Sequence, residues 1–230
     1  ESERRLWEPP PRLTVSEWAD HHRVLGADVS AEPGPWETRR TPYLRDFQDA
    51  LGDPTVEEVY LMKVPQVGGS EALRNGLGYW VDVDPGPCLI VYPSERAGRE
   101  VVDERLVPLF RDSPRLRGHL TGVARDVQLR QLNLDTMSLF TGHAGSPQSL
   151  ATRPCRYGVC DETDKYPPWS GREADPVALV EARLHTYAHR RKVVCISTPT
   201  TPGGTIATLC AAIPPTARAW WSVTCPACGW

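Results

Sequence analysis

The chain has 230 residues, which suits one sizeable domain and leaves little room for a second. Its 26 basic and 29 acidic residues give a net charge of −3, which excludes a domain that holds nucleic acid through an overall positive charge. Seven cysteines without a signal peptide or a membrane-length apolar run exclude a disulfide scaffold and a membrane protein, and favour a reducing cytoplasm.

The first 40 residues are rich in Pro and Arg and show no sustained hydrophobic period, so we expect an irregular N-terminal arm. From residue 41 onward, apolar runs alternate with segments of helical spacing. The predicted elements of this first half are a helix at 44–51, a strand at 56–62, a helix at 70–81, a strand at 88–92, and a helix capped by Ser94.

The second half continues the alternation. Its predicted elements are a strand at 136–141, a loop at 142–149, a strand at 157–160, a helix that opens at Asp175-Pro176, and a strand at 193–196. Together they predict an α/β domain over residues 41–215, with a mostly parallel central sheet flanked by helices, followed by a linker that starts at 216–230. In such sheets ligands bind at the carboxyl ends of the strands, where the polar motifs of this chain fall.

One of these motifs is the loop Lys63-Val64-Pro65-Gln66-Val67-Gly68-Gly69-Ser70, which follows a predicted strand. Compared with the phosphate-binding pattern G-x-x-x-x-G-K-[ST], Gly68 and Ser70 match, whereas Gly69 stands in the lysine position and Lys63 in that of the first glycine. Such a loop offers backbone N–H groups and a helix N-terminus to an anion, and a lysine at its start could reach the phosphates from the other side. By itself the segment also fits an ordinary strand–turn–helix connection.

Two adjacent carboxylates, Asp161 and Glu162, follow the apolar strand at 157–160. This arrangement suits nucleotide hydrolysis, in which the first acid holds Mg²⁺, usually through water, and the second deprotonates the attacking water. A solvated Asp-Glu turn is the plainer alternative. Ser197 and Thr198 end the next buried strand, where polar residues can sense the γ-phosphate and pass on its loss.

The order and spacing of the motifs resemble the large terminase subunits of tailed bacteriophages, in the lambda-type branch. The resemblance extends over about residues 36–230. Six segments carry it: RTPYLR from Arg40, MKVPQVGGSE from Met62, DVDPGPCLIVYPSE from Asp82, GSPQSLATRP from Gly145, VCDETDKYP from Val159, and ISTPTTPGG from Ile196. It implies a P-loop NTPase fold of the ASCE type. In the large terminase family the loop lysine is commonly displaced to the start of the loop, as Lys63 is here.

The resemblance also implies a function: an ATP-hydrolysing motor that moves double-stranded DNA into a procapsid. The motor would be a homo-oligomer working with the capsid portal and a small terminase subunit in the host cytoplasm. The implied ATP-binding residues are Tyr43, as an adenine-stacking ring, and Lys63, Gln66, Val67, Gly68, Gly69, Ser70 and Glu71. Mg²⁺ would be held by Ser70 and Asp161, and Glu162 would be the catalytic base.

In the same family Ser197 and Thr198 would couple hydrolysis to movement, and an arginine is expected to stabilise the transition state. The candidates for this arginine are Arg96, Arg99, Arg125 and Arg153, and the sequence does not choose among them.

Cys225 and Cys228 form a Cys-x-x-Cys turn that offers half of a zinc site, so Zn²⁺ would need ligands from beyond residue 230. The chain starts without Met and stops at this motif. We therefore expect a piece of a longer protein, with a metal-dependent nuclease after the linker. Two other functions stay open: a different P-loop DNA-dependent ATPase, such as a helicase-like enzyme, and a truncated remnant that does not hydrolyse ATP.

Overall fold

The computed structural model describes residues 12–120, 127–128, 131–151, 153–167 and 174–221. Within these ranges the chain forms a two-stranded antiparallel ribbon, β1 (Val24–Leu25) with β2 (Gly34–Pro35), and a large central sheet. The strands of the central sheet are β3 (Glu58–Met62), β4 (Cys88–Tyr92), β5 (Val127–Gln128), β6 (Gln131–Asn133), β7 (Ser138–His143), β8 (Tyr157–Asp161), β9 (Lys192–Ser197) and β10 (Ala217–Trp221).

The central sheet is mostly parallel. Its spatial order is β10-β3-β9-β8-β4-β7-β6-β5, and every pairing from β10 to β7 is parallel, whereas β6 and β5 add antiparallel pairs at one edge. β4, β8 and β9 are buried along their whole length, as expected for apolar strands covered on both faces. The predicted α/β class is confirmed. Because these strands are parallel, the carboxyl ends of β3, β8 and β9 meet at the same edge.

Helices cover both faces of the sheet. In the described ranges the α-helices are α1 (Val15–His22), α2 (Arg45–Gly52), α3 (Gly69–Asp82), α4 (Glu95–Val101), α5 (Val107–Asp112), α6 (Pro114–Arg117), α7 (Pro147–Leu150), α8 (Pro176–Arg183) and α9 (Thr205–Ala211). A π-helical turn, Val102–Leu106, joins α4 to α5, and 3-10 turns lie at Thr38–Arg40, Pro42–Leu44, Thr163–Lys165 and His185–Tyr187. Side chains of α1, α2, α3 and α5 pack on one face, whereas α8 and α9 cover the other.

Most elements lie within a few residues of their predicted positions. The Ser94 hydroxyl accepts a hydrogen bond from the Ala97 N–H (3.2 Å) at the start of α4, so the predicted cap is confirmed. Asp175 caps α8 in the same way through the Ala178 N–H (3.3 Å). The segment predicted as a loop at 142–149 differs in part, because Ser146 caps the short helix α7 there.

The described part of the N-terminal segment contains an unexpected helix, α1. Thr14 and Glu17 form a capping box at its start, and Val15 and Trp18 are buried in the core. The Trp18 indole N–H also donates to Asp82 at the end of α3 (2.8 Å). The expectation of an irregular arm is therefore wrong for α1, since eight residues are too few for a hydrophobic period to stand out in the sequence.

The central sheet also continues past residue 215, where the sequence predicted the start of a linker. β10 pairs with β3 over five residues, from Ala217 opposite Glu58 to Trp221 opposite Met62. Trp220 packs edge-on against Phe47 of α2, with ring centroids 6.0 Å apart. Cys225 and Cys228 lie outside the described residues. In the part of the chain that is described, no helix combines the length and apolarity needed to cross a bilayer.

Lys192, the first residue of β9, is a buried cation that joins the sheet to the end of α2. Its ammonium group donates to the carbonyl oxygens of Ala50 (2.8 Å), Asp53 (2.8 Å) and Val56. Burial lowers the pKa of Lys192 to about 8, although Asp53 opposes the change. The contact fixes α2 and the chain entering β3 against the neighbouring strand.

Candidate active site

The loop with the phosphate-binding motif runs from the carboxyl end of β3 to the start of α3. Two of its residues have left-handed backbone angles, Gln66 with φ 62° and Gly68 with φ 81°. Gly68 is the cap position of α3, and no side chain of the described residues caps this end. The first N–H groups of a helix lack intrahelical acceptors, so this end of α3 offers donors and a positive dipole to an anion.

Lys63 begins this loop, and its side chain is buried. Its backbone N–H donates to the Ser197 carbonyl oxygen at the end of β9 (2.9 Å). Its aliphatic stem passes over Gly69, so that a Cβ at position 69 would lie only 2.8 Å from Lys63 Cδ and 3.1 Å from Leu61 Cδ2. Gly69 thus stands in the usual lysine position because the stem of the displaced lysine occupies the space a side chain would need.

The ammonium group of Lys63 reaches the acids at the end of β8. Lys63 Nζ lies 2.7 Å from Glu162 Oε1, although the two residues are 99 positions apart. Lys165, an exposed residue, contacts the other oxygen, Oε2, at 3.1 Å. The backbone of Glu162 is left-handed, with φ 57°, which is strained for a residue other than glycine. This sharp turn at the strand end brings the Glu162 carboxylate to the lysine.

The two lysines determine the ionisation of Glu162. Burial by itself raises the pKa of Glu162, but the hydrogen bond and charge of Lys63, together with Lys165, outweigh burial and leave the pKa below its usual value. Glu162 is therefore ionised and paired in this arrangement. Its carboxylate is a weaker base as long as it is paired with Lys63.

Asp161, the last residue of β8, is buried beside this pair. Burial raises the pKa of Asp161 to about 6, against the opposing charges of Arg74 and Lys63. Among the described residues its Oδ1 atom has no hydrogen-bond partner, which is costly for a buried carboxylate unless a ligand or water supplies one. A hydrated Mg²⁺ fits such an atom, because this ion is usually held by one or two carboxylates and substrate phosphates. A Mg²⁺ site that is completed by phosphates and water does not need three or more ligating side chains from the protein, and no such cluster occurs in the described ranges.

Ser197 lies at the end of β9, between β3 and β8. Its buried hydroxyl accepts a hydrogen bond from the Asp164 N–H (3.1 Å) and donates to the Thr198 carbonyl oxygen (3.2 Å). Lys63, Glu162 and Ser197, which come from three distant parts of the sequence, therefore share one edge of the sheet.

The other predicted ligand-binding residues occupy different environments. Tyr43 is exposed, and its hydroxyl donates to the Val67 carbonyl oxygen of the loop (3.0 Å). Ser70 lies in the first turn of α3. Glu71 has both carboxylate oxygens in ion pairs, with Arg74 (2.6 Å) and with buried Arg23 (3.1 Å). Such pairing makes Glu71 a structural residue of α3 in this arrangement.

The arginine candidates are dispersed. Arg96 and Arg99 are exposed on α4, in ion pairs with Glu100 and Glu95. Arg153 stacks over the Phe140 ring at 4.8 Å, and Arg125 lies outside the described residues.

Lys165 contacts the site but was not singled out in the sequence, where only its charge, three residues after Glu162, could have indicated it.

Comparisons with known proteins identify the family of the chain and proteins that share its fold. Residues 30–230 match the sequence model of the family described as phage terminase large subunit gpA, ATPase domain. The large terminase subunit of Enterobacteria phage P21 is 25% identical over 179 residues, covering 76% of this chain and 28% of that protein. The large terminase subunit of Escherichia phage lambda is 30% identical over 113 residues, covering 49% of this chain and 17% of that protein. The chain thus spans less than a third of the length of these relatives.

Two solved structures share the fold. The ATPase domain of the large terminase of Thermus phage P74-26, in a mutant form, superposes with a TM-score of 0.53 at 15% identity, covering 74% of this chain and 77% of that chain. The large terminase of bacteriophage HK97 superposes with a TM-score of 0.64 at 13% identity, covering 85% of this chain and 40% of that chain.

Proposed function

The chain belongs to the family of phage terminase large subunits, in the part described as the ATPase domain. From this premise we propose that it binds ATP with Mg²⁺ at the Lys63–Glu162 site and hydrolyses it. Hydrolysis would drive double-stranded DNA into a procapsid. The observation that carries the proposal is the 2.7 Å contact between Lys63 Nζ and Glu162 Oε1. It supports a site in which the phosphate loop and the catalytic acid face one ligand.

Nucleotide binding would replace the partner of Lys63. The triphosphate would lie against the N–H groups of the loop and of α3, in contact with Gln66, Val67, Gly68, Gly69 and Ser70, and Lys63 would move its ammonium group from Glu162 to the phosphates. Ser70 and Asp161 Oδ1, which has no hydrogen-bond partner among the described residues, would hold Mg²⁺. When bound, Mg²⁺ neutralises charge that develops on the phosphates. Tyr43 lies beside the loop and would stack on the adenine ring.

The same exchange would activate Glu162. In the arrangement described, its carboxylate is paired with two lysines, and this pairing lowers its pKa and its strength as a base. Once Lys63 contacts the phosphates, Glu162 Oε1 is free to accept a hydrogen bond from the attacking water and then its proton. Glu162 would therefore become an effective base only after a bound nucleotide has drawn Lys63 away from it.

The motor function and its partners extend the proposal beyond the site. We infer that Ser197 and Thr198 couple hydrolysis to movement, and that a homo-oligomer acts with the capsid portal and the small terminase subunit in the host cytoplasm. We propose that the ATPase domain includes α1 and β10, which pack with it, instead of keeping the expected limits of 1–40 and 41–215, and that a nuclease follows the segment 216–230. Arg96, Arg99, Arg125 and Arg153 remain candidates for the transition-state arginine.

Three variants of this chain test the site. Lys63→Ala removes a charged hydrogen-bond donor worth about 1.5–3 kcal/mol, so affinity for Mg-ATP in calorimetry should fall about 10- to 150-fold. Glu162→Gln should bind ATP normally but lower phosphate release at least about 100-fold. Lys165→Ala is the matched control, because Lys165 also contacts Glu162 but is exposed, and its affinity should stay within about threefold of the wild type. Unchanged affinity in Lys63→Ala would refute the site.

Movement of DNA needs a separate measurement. With the full-length protein and procapsids, we expect the protection of double-stranded DNA from nuclease to require ATP and to be lost in Glu162→Gln. Protection that persists in this variant would separate DNA packaging from the proposed catalytic base.

A further inference from the structure

Asp164 ties the turn after Glu162 to the segment after β9. It lies in the 3-10 turn Thr163–Lys165, and its N–H donates to Ser197 Oγ (3.1 Å). Its carboxylate accepts hydrogen bonds from the Thr200 N–H through Oδ2 (3.1 Å) and from the Ile206 N–H through Oδ1 (2.8 Å). One side chain therefore binds both the loop at 198–204 and the helix that follows it.

Helix α9 receives its N-terminal cap from Asp164. Its own cap position is Gly204, which has no side chain to supply, and the Ile206 N–H is among the first donors of the helix. In most helices an Asp or Ser at the cap position accepts a hydrogen bond from such a donor. Here Asp164, which lies in another segment of the chain, accepts it instead. A Cβ on Gly204 would clash with Asp164 Oδ2. Glycine at this position is what allows the carboxylate to approach.

Helix α9 leads away from the site to the edge of the sheet. Ile206 and Cys210 are buried against the sheet, and the chain continues from α9 into β10. The hydrogen bond from the Ile206 N–H to Asp164 thus directly connects the turn after Glu162 with the helix that leads to β10, and the bond from the Thr200 N–H connects the same turn with the loop before that helix.

We propose that Asp164 is a positioning residue that makes the orientation of Glu162 and the position of α9 change together. The proposal rests on the proposed function, because it requires a nucleotide at the Lys63–Glu162 pair. When Lys63 leaves Glu162 for the phosphates, the turn after Glu162 loses an ionic contact and can shift. Asp164, two residues further on, carries this shift to Thr200 and Ile206.

The chain contains a matched control in Asp175. Both carboxylates cap a helix, and both line a cavity of about 310 Å³ beside the loop at 198–204. Asp175, however, caps α8 and lies outside the turn that follows Glu162. Asp164→Ala and Asp175→Ala therefore remove the same kind of cap from two helices, of which one is connected to Glu162. Asp164→Asn keeps one side-chain acceptor and preserves folding if Asp164→Ala does not.

The test combines hydrogen exchange with steady-state kinetics on the 230-residue chain. We expect a non-hydrolysable ATP analogue to change the exchange of the α9 amides in the wild type and in Asp175→Ala, and to change it little in Asp164→Ala. In Asp164→Asn, which keeps one of the two acceptors, the change should be smaller than in the wild type. The kcat of Asp164→Ala should fall at least about tenfold with KM for ATP within about threefold, since misplacing a catalytic group by about 1 Å can cost about 100-fold. The kcat of Asp164→Asn should fall less, because one of the two hydrogen bonds is kept.

Two results would overturn the inference. One is nucleotide-dependent exchange of α9 that survives in Asp164→Ala or, if that variant does not fold, is undiminished in Asp164→Asn. The other is wild-type chain that binds the analogue without any change in α9. Wild-type chain that binds no analogue in calorimetry would instead refute the proposed function, and the inference with it. These outcomes are distinguishable because binding and exchange are measured separately.

Discussion

Exchanging the residues at positions 63 and 69 tests whether the displaced lysine and the glycine beneath it form one steric unit. Lys63→Gly and Gly69→Lys together convert the loop to G-x-x-x-x-G-K-S, the common phosphate-binding pattern. The two single variants and the double variant form a double-mutant cycle, which measures the coupling between the two positions.

The structure sets the expected size of each effect on ATP affinity. Lys63→Gly removes the cation and should weaken binding about 10- to 150-fold, from the value of about 1.5–3 kcal/mol for a charged hydrogen bond. Gly69→Lys places a Cβ 2.8 Å from Lys63 Cδ. Overpacking of this kind costs about 1–3 kcal/mol and should displace the ammonium group, with a loss of about 5- to 150-fold. In the double variant the obstructing stem is gone and a lysine is restored, so affinity should return to within about tenfold of the wild type.

Calorimetric titration with Mg-ATP measures the four affinities, and thermal unfolding of each variant controls for folding. The smallest expected single losses multiply to about 50-fold, so a double variant within about tenfold of the wild type corresponds to a coupling of at least about fivefold, or about 1 kcal/mol. If the two single losses simply multiply in the double variant, then Lys63 and Gly69 act independently and the steric explanation of the displaced lysine is wrong.

Three further predictions concern the surroundings of the site. Lys192→Met leaves three carbonyl oxygens, two of them buried and one partly buried, without their donor and should lower the free energy of unfolding in urea by about 2–4 kcal/mol. The pKa of Lys192 is about 8 in the folded chain and about 10.4 in the unfolded chain, so the unfolded chain holds more protons between these two pH values. The difference in free energy of unfolding between wild type and Lys192→Met should therefore grow from about pH 8 to about pH 10. A difference that stays constant over this range would contradict the lowered pKa. Tyr43→Ala should lower the affinity for ATP by about 2- to 12-fold and leave the affinity for inorganic triphosphate unchanged, and Tyr43→Phe should change neither affinity. An equal decrease in both affinities would exclude adenine stacking. Trp18→Ala should lower the free energy of unfolding by about 3–5 kcal/mol, whereas a change below about 1 kcal/mol would show that α1 is not part of the cooperative domain.

Much of the fold could be predicted because its signals are local. The apolar runs at β4, β8 and β9 are short, continuous and followed by polar residues, as expected for strands buried on both faces of a parallel sheet. Ser94 and Asp175 mark helix starts that the structure confirms. Helix α1 and strand β10 were missed because their stability comes from contacts with distant residues, such as Trp18 with Asp82 and Trp220 with Phe47.

The same distinction between local signals and contacts with distant residues applies to the site. By itself the sequence determined which residues could meet at the carboxyl edge of the sheet, because the ends of parallel strands share one edge and the motifs follow those strands directly. Only the tertiary structure decided how they meet: that the stem of Lys63 excludes a side chain at Gly69, that Lys63 and Lys165 hold both oxygens of Glu162, and that Asp164 caps a helix 42 residues away. The contacts of Lys63 with Glu162 and of Asp164 with Ile206 join residues 99 and 42 positions apart, and no local period or motif records the distance between them.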